Sequence, residues 1–129
     1  AEGHAGIGAG RRVLLVEDDP RVLRLSETRL EALGFDCVTA TSGDAAWEIL
    51  QTRRDIDVVF TDLMMPGELS GHVLALRVAE EMPGIRVLIT SGFSEDILGS
   101  KAMAEQFPML RKPYRQADLA EAFRALLSD

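Results

Sequence analysis

Four short apolar runs in this chain each end on a polar side chain suited to divalent-metal or phosphoryl chemistry. Residues 13–16 lead to Glu17 and Asp18, 58–60 to Asp62, 87–89 to Thr90, and 109–110 to Lys112. If the runs are parallel neighbours in one sheet, these ends meet at its carboxyl edge, where open α/β sheets bind ligands. Carboxylates brought that close repel and raise one another's pKa. A hard, oxygen-seeking cation such as Mg²⁺ compensates them, using one or two carboxylates, a main-chain carbonyl and waters. An ammonium and a hydroxyl aimed at one of the carboxylates complete the equipment for in-line phosphoryl transfer onto it. Asp62 is the candidate acceptor, with Lys112 as its charge partner and Thr90 as a hydroxyl able to donate to it.

Each residue taken alone has a plainer reading. Glu17, Asp18 and Asp19 suit an ordinary helix start, where the dipole favours acidic groups. Asp62 suits a turn before Met65, Pro66 and Gly67. Lys112, one of only two lysines, suits a solvated turn, and Thr90 is a β-branched residue of the kind strands favour. The joint placement separates the two readings, so the elements carrying these residues decide the matter.

Residues 12–16 form a continuous apolar run of the buried, parallel-sheet type. Asp19 caps the following helix with Pro20 in its first turn, and Gly34 ends it. Val22, Leu25, Leu30 and Leu33 supply its expected apolar stripe. A second strand over 36–40 precedes a helix over 43–53, capped by Ser42 and packed through Ala46, Ile49 and Leu50. The third strand spans 56–61, a helix follows over 71–82, and Pro83-Gly84 leads to a fourth strand over 85–90, broken at Ser91-Gly92. Residues 95–106 read as a weaker, more mobile helix, interrupted by Gly99 and Ser100. A short strand over 109–111 and a helix carrying Leu119, Phe123, Leu126 and Leu127 close the chain. Five strands alternating with five helices, joined by right-handed crossovers, predict a doubly wound three-layer α/β sandwich. Its five-stranded parallel sheet takes the flavodoxin-like order 2-1-3-4-5.

Composition bounds the function. A length of 129 residues, 47% apolar, suits one domain. A net charge of −7 and a pI near 4.8 argue against a nucleic-acid surface and against a basic face for anionic lipid. The single cysteine, Cys37, cannot form an internal disulfide. No stretch resembles a membrane helix or a signal peptide, so the cytosol is the expected location and no membrane contact is expected. Residues 1–10 are mostly small and begin with Ala1, which reads as a flexible leader or linker with more chain upstream, leaving residues 11–129 as the domain.

The motifs Val16-Glu17-Asp18-Asp19-Pro20, Asp62-Leu63-Met64-Met65-Pro66-Gly67, Thr90-Ser91-Gly92 and Lys112-Pro113-Tyr114 together resemble the receiver domain of two-component response regulators, in order and at the family's spacing. The resemblance implies a receiver fold and a phosphorylation-controlled switch. In that reading Asp62 is the phosphoacceptor, and a phosphohistidine on a sensor histidine kinase or histidine phosphotransfer protein is the donor. It also implies Mg²⁺ held directly by Asp18 and Asp62 and by the main-chain carbonyl of Met64, with Glu17 acting through water. Thr90 is then the switch hydroxyl, Lys112 binds the phosphate, and Lys112-Pro113 is cis. Output passes through the last strand and the last two helices, which are the expected partner or homodimer face. A receiver at the carboxyl end of a hybrid sensor kinase fits this sequence, as do a stand-alone receiver and the regulatory half of a transcription factor.

Two departures stand out. The position three before Lys112, aromatic in many receivers, is Met109, and the loop over 67–71 is slightly longer than the commonest form. Competing readings are a degenerate receiver that binds partners without phosphate and, from another class, an aspartyl-phosphate phosphatase. The phosphatase needs a second aspartate two residues after the nucleophile, where this chain has Met64. A flavin module lacks its phosphate loop after Val16. His4 and His72 have no partners at metal-ligand spacing, Trp47 reads as a half-buried helix residue, and Gly6, Gly8 and Gly10 precede a strand where a dinucleotide loop would follow one.

Overall fold

The alternation of apolar runs with amphipathic stretches builds a five-stranded parallel sheet covered on both faces by helices, described here from a computed structural model for residues 6–65, 69–92 and 106–128. The strands are β1 (Arg12–Val16), β2 (Asp36–Ala40), β3 (Val58–Asp62), β4 (Arg86–Ser91) and β5 (Met109–Arg111). They lie in the order β2-β1-β3-β4-β5, every neighbouring pair parallel, as predicted. The helices among the described residues are α1 (Pro20–Ala32), α2 (Gly43–Thr52), α3 (Gly71–Glu81) and α4 (Gln116–Leu127). The helix expected over 95–106 falls almost wholly outside them.

Successive strand residues point to opposite faces, which divides the core in two. Leu14, Val16, Val59, Val87 and Ile89 pack with Trp47 and Leu50 of α2 and Leu74 and Val78 of α3. Val13, Leu15, Val58, Phe60 and Leu88 pack with Leu30 of α1 and Leu119 and Phe123 of α4. Phe123 anchors the second layer, its ring centroid 4.7 Å from that of Phe35 and 5.4 Å from that of Phe60. Cys37, half-buried on β2, has its thiol pushed up to about 12 by burial and by the nearby charges of Glu31, Glu27 and Asp36, so it is inert.

Local signals hold. The Asp19 carboxylate accepts from the Arg21 N–H at 2.9 Å, the Ser42 hydroxyl oxygen accepts from the Ala45 N–H at 3.0 Å, and Gly34 leaves α1 with φ of 97°. Three expectations change. The third strand starts at Val58 rather than at 56 and carries Asp62 as its last residue, while β4 continues through Ser91. The ladder pairing Asp62 with Thr90 extends both strands to the edge. On α1, Leu25 is 53% exposed and Ser26 is buried. Leu23, Leu30 and Leu33 fix which face meets the sheet, and Ser26 lies on that line, one turn after Leu23. The leader is not loose over its second half either. Ile7 packs on the second core layer, the Gly8 N–H donates to the Leu33 carbonyl at 2.8 Å, and Gly8 is buried.

Candidate functional site

Parallel pairing brings the ends of β1, β3, β4 and β5 into one row, and backbone hydrogen bonds pin each end. The Glu17 N–H donates to the Ala40 carbonyl at 3.1 Å, that of Leu63 to Thr90 at 2.8 Å, and that of Lys112 to Ser91 at 2.7 Å. The Lys112-Pro113 peptide that follows is cis. Carboxylate oxygens of Glu17, Asp18 and Asp62 consequently lie within 4.8 Å of one another. Glu17 and Asp62 are buried and Asp18 is exposed. The edge thus holds two shielded acids and one facing water.

Among the described residues, Lys112 is the cation that reaches this group. Its Nζ donates to Asp62 Oδ2 at 3.1 Å and to Glu17 Oε1 at 3.3 Å. Burial alone would lower the Lys112 pKa, but the charges of Asp62 and Glu17 together outweigh it and the net shift is upward. Lys112 is therefore a fixed positive charge at neutral pH. Glu17 moves upward as well, chiefly because burial disfavours its charged form; the Asp19 N–H at 3.1 Å from Oε2 and the Lys112 ammonium oppose this only in part. Three carboxylates against one ammonium remain under-compensated.

The second oxygen of Asp62 shows where compensation is missing. Asp62 Oδ1 is buried without a hydrogen-bond partner among the described residues, a state that ordinarily costs about 1–3 kcal/mol. The Thr90 hydroxyl, expected as a donor to Asp62, is not bonded to it, although Thr90 is buried and pairs with Asp62 in register. A bare carboxylate oxygen beside two further carboxylates fits a hard divalent cation, with Glu17, Asp18 and Asp62 as the oxygen donors. Met64, two residues on, is 56% exposed on the loop leaving β3.

The structure adds three residues that the sequence reading passed over. Ser26, Thr61 and Tyr114 join Glu17, Asp62, Thr90 and Lys112 around a cavity of about 10 Å³, about the size of one water. Ser26 was visible only as a polar interruption of an apolar stripe, Thr61 as the last residue before the acceptor, and Tyr114 as the residue closing the Lys-Pro-Tyr motif. The loop carrying Tyr114 is tied to α1. An Arg29 guanidinium nitrogen donates to the Tyr114 carbonyl at 3.2 Å, its guanidinium carbon lies 5.2 Å from the Tyr114 ring centroid, and the Gln116 amide donates to the Arg29 carbonyl at 3.0 Å. Met109 packs partly buried against the first core layer. His72 is exposed at the start of α3 and is not among the clustered carboxylates, and His4 and residues 66–68 of the loop lie outside the described residues. Trp47 is buried beneath the Arg77 guanidinium, whose carbon lies 5.1 Å from the ring centroid, a packing role.

The chain is similar to known proteins. A comparison with protein families matches residues 13–124 to the response regulator receiver domain. The response regulator receiver protein CpdR of Brucella abortus is 30% identical over 118 residues, covering 91% of this chain and 97% of that protein. The sensor kinase CckA of the same organism is 32% identical over 117 residues, 89% of this chain and 12% of the kinase. The probable transcriptional regulator ycf27 of Porphyridium aerugineum is 30% identical over 118 residues, 90% of this chain and 48% of that regulator. A solved receiver domain from Clostridium thermocellum is similar in fold with a TM-score of 0.80 at 29% identity, covering 91% of this chain and 94% of that one.

Proposed function

The chain belongs to the response regulator receiver domain family of two-component signalling, and from that premise we propose that it is a phosphorylation-controlled switch whose phosphoacceptor is Asp62. The observation that carries the reading is the buried, unpartnered Oδ1 of Asp62 beside an ammonium 3.1 Å from the other oxygen. One oxygen is held by the ammonium and the other has no partner among the described residues.

The donor is a phosphohistidine of a sensor histidine kinase or a phosphotransfer protein. In the transfer, the bond from phosphorus to the imidazole nitrogen breaks as the bond from Asp62 forms, and the nitrogen keeps the electron pair. Asp18, Asp62 and the main-chain carbonyl of Met64, with Glu17 through water, would hold Mg²⁺, which would supply charge neutralisation for the transferring oxygens. Lys112 fixes the direction of the Asp62 carboxylate and pairs with a phosphoryl oxygen once transfer is complete. The Thr90 hydroxyl, bonded to neither Asp62 oxygen, is available to donate to the same group. Its movement and that of Lys112 would change the surface of β5 and α4 and of the segment between β4 and β5. Met109 replaces the aromatic that often accompanies this movement and repacks by rotamer change.

Relatives named as a sensor kinase, a receiver protein and a transcriptional regulator are matched over 12%, 97% and 48% of their lengths, in keeping with a place in a hybrid kinase, a stand-alone receiver or the regulatory half of a transcription factor; the full reading frame decides among them. Intact-mass spectrometry after incubation with acetyl phosphate and Mg²⁺ tests the switch. The wild-type chain gains one phosphoryl group and Asp62→Asn gains none. A wild-type chain that takes up none under saturating donor and metal is a degenerate receiver, and the proposal falls.

A further inference from the structure

We propose that Gly71 and Thr61 are positioning residues for the phosphoacceptor, clamping the main-chain carbonyl of Asp62 between the first residue of α3 and a buried hydroxyl. The proposal rests on the reading of Asp62 as phosphoacceptor and goes beyond it, because neither residue is among the oxygen donors assigned to the metal.

Gly71 sits so close to the end of β3 that a Cβ built on it would lie 1.8 Å from the Asp62 carbonyl oxygen, 2.8 Å from the carbonyl carbon and 2.9 Å from Leu63 Cα. All three atoms are backbone, so no side-chain rotation relieves the clash. On the same carbonyl, the Thr61 hydroxyl donates at 3.0 Å, and Thr61 is almost fully buried. The other side of that peptide is fixed too, since the Leu63 N–H donates to the Thr90 carbonyl at 2.8 Å. The peptide joining Asp62 to Leu63 is therefore held by a ladder bond, a hydroxyl and the bare Cα of a helix start. The Asp62 carboxylate hangs from this plane, with Oδ2 at Lys112 and Oδ1 bare, and Met64 is the second residue beyond it. A tilt of the plane moves both the carboxylate and the carbonyl assigned to the metal. Shifts of well under an ångström at such ligands matter for affinity and for attack geometry.

The molecule contains a graded comparison. Gly43, the first residue of α2, would bring a Cβ to 1.8 Å from the Leu69 carbonyl oxygen, a clash of the same size against the residue two before Gly71, one step removed from Asp62. Gly71→Ala, Gly43→Ala and the near-isosteric Thr61→Val are compared by melting in chelator, by Mg²⁺ titration followed by NMR, and by the Asp62 carboxyl ¹³C shift in metal-free protein. Both glycine variants lose melting temperature to a similar degree. Gly71→Ala loses about 10–100-fold in Mg²⁺ affinity and moves the Asp62 carboxyl resonance, whereas Gly43→Ala, which reaches Asp62 only through Leu69 and Ser70, changes both by less. Thr61→Val, which adds no bulk, weakens Mg²⁺ by about fivefold, the worth of one hydrogen bond. Gly71→Ala with an affinity no lower than that of Gly43→Ala overturns the proposal. If Gly71→Ala does not fold, Thr61→Val decides alone, and wild-type affinity with an unmoved Asp62 resonance overturns it. Wild-type protein that neither binds Mg²⁺ nor takes up phosphate brings down the switch reading and this proposal together. Wild-type protein that does both, with variants that match it, brings down the positioning role alone.

Discussion

The two ends of the sheet carry similar numbers of acids and use them in opposite ways. At the amino edge, Asp36, Asp55 and Asp57 face two guanidiniums. Arg12 Nε donates to Asp36 at 2.9 Å and its backbone N–H to Asp57 at 2.8 Å, while a further nitrogen of its guanidinium pairs with Asp55. Arg53 adds two bonds to Asp55 at 2.9 and 2.8 Å. Every one of these aspartates has a partner, and the pairs are exposed to solvent. At the carboxyl edge, among the described residues, three carboxylates face one ammonium, two of the acids are buried, and one buried oxygen has no partner. Acid content alone therefore marks neither end as a site. Burial without matching cations does, because charge left uncompensated in a low-dielectric edge persists only where something else is meant to complete it.

The sharpest way to break this contrast is to remove ligands. Asp18→Ala and Asp62→Ala each lower Mg²⁺ affinity at least about tenfold, since a sparse, mostly hydrated shell has no spare donors. Asp55→Ala, a change of the same kind at the amino edge, leaves it unchanged. Titration monitored by NMR shifts checks both, and a metal that still binds with both site acids removed lies elsewhere.

Next in size is Lys112→Ala. With the ammonium gone, Asp62 and Glu17 stay buried without a counter-charge, and the fold loses about 1–3 kcal/mol in metal-free buffer. Saturating Mg²⁺ restores much of that loss by linkage, because the cation binds only the folded state. Melting curves with chelator and with excess Mg²⁺ measure the difference. A loss that Mg²⁺ does not repair would mean that Lys112 acts through packing. Phosphoryl uptake in this variant falls less than its structural response to phosphate.

Asp62→Asn probes the same imbalance with the opposite sign. Asp62 has two like charges and one opposite charge within reach, and Glu17 remains to hold Lys112 once Asp62 is neutral. Removing one net repulsion raises stability in chelator by about 1 kcal/mol, the interaction of two unit charges about 4 Å apart in water. A clear fall in melting temperature would show that the contact with Lys112 dominates over the two neighbouring acids.

The difference between the two ends also explains what the sequence revealed. Asp19, Ser42 and Gly34 were legible because caps and stops act over a few residues, and the meeting of Glu17, Asp18, Asp62 and Lys112 followed once the strands were taken as parallel neighbours. Strand order fixes which ends converge. It does not fix helix rotation or hydroxyl direction, so the burial of Ser26, the Thr61 hydroxyl turned onto the Asp62 carbonyl and the absence of a bond from Thr90 to Asp62 were not readable. The amino-edge network escaped for a related reason. Arg12 lies at one end of β1, Asp36 at the matching end of β2, and Asp55 in the turn before β3, a grouping that the register creates and that no local motif announces. The docking of Ile7 and Gly8 on the end of α1 and the second core layer belongs to the same class.

The smallest expected effect belongs to that amino-edge network and carries a pH signature. Arg53 and Arg12 hold the Asp55 carboxyl well below the usual carboxylate range, the hydrogen bond from Arg53 contributing most. A carboxyl depressed in the folded state stabilises the fold at pH values above its unfolded pKa, and that stabilisation fades as pH falls through the folded value. Wild type should therefore melt slightly above Asp55→Asn at neutral pH. The gap should stay constant down to the ordinary aspartate value of 3.8 and close only in stronger acid. Exposure and salt screening keep it small, so added salt should shrink it. Melting temperatures of the two proteins across an acid series, at low and high salt, provide the measurement. A gap that is large, insensitive to salt or widest in acid would mean that the amino edge stores uncompensated charge as the carboxyl edge does, and the distinction between a stitched end and a functional end would no longer hold.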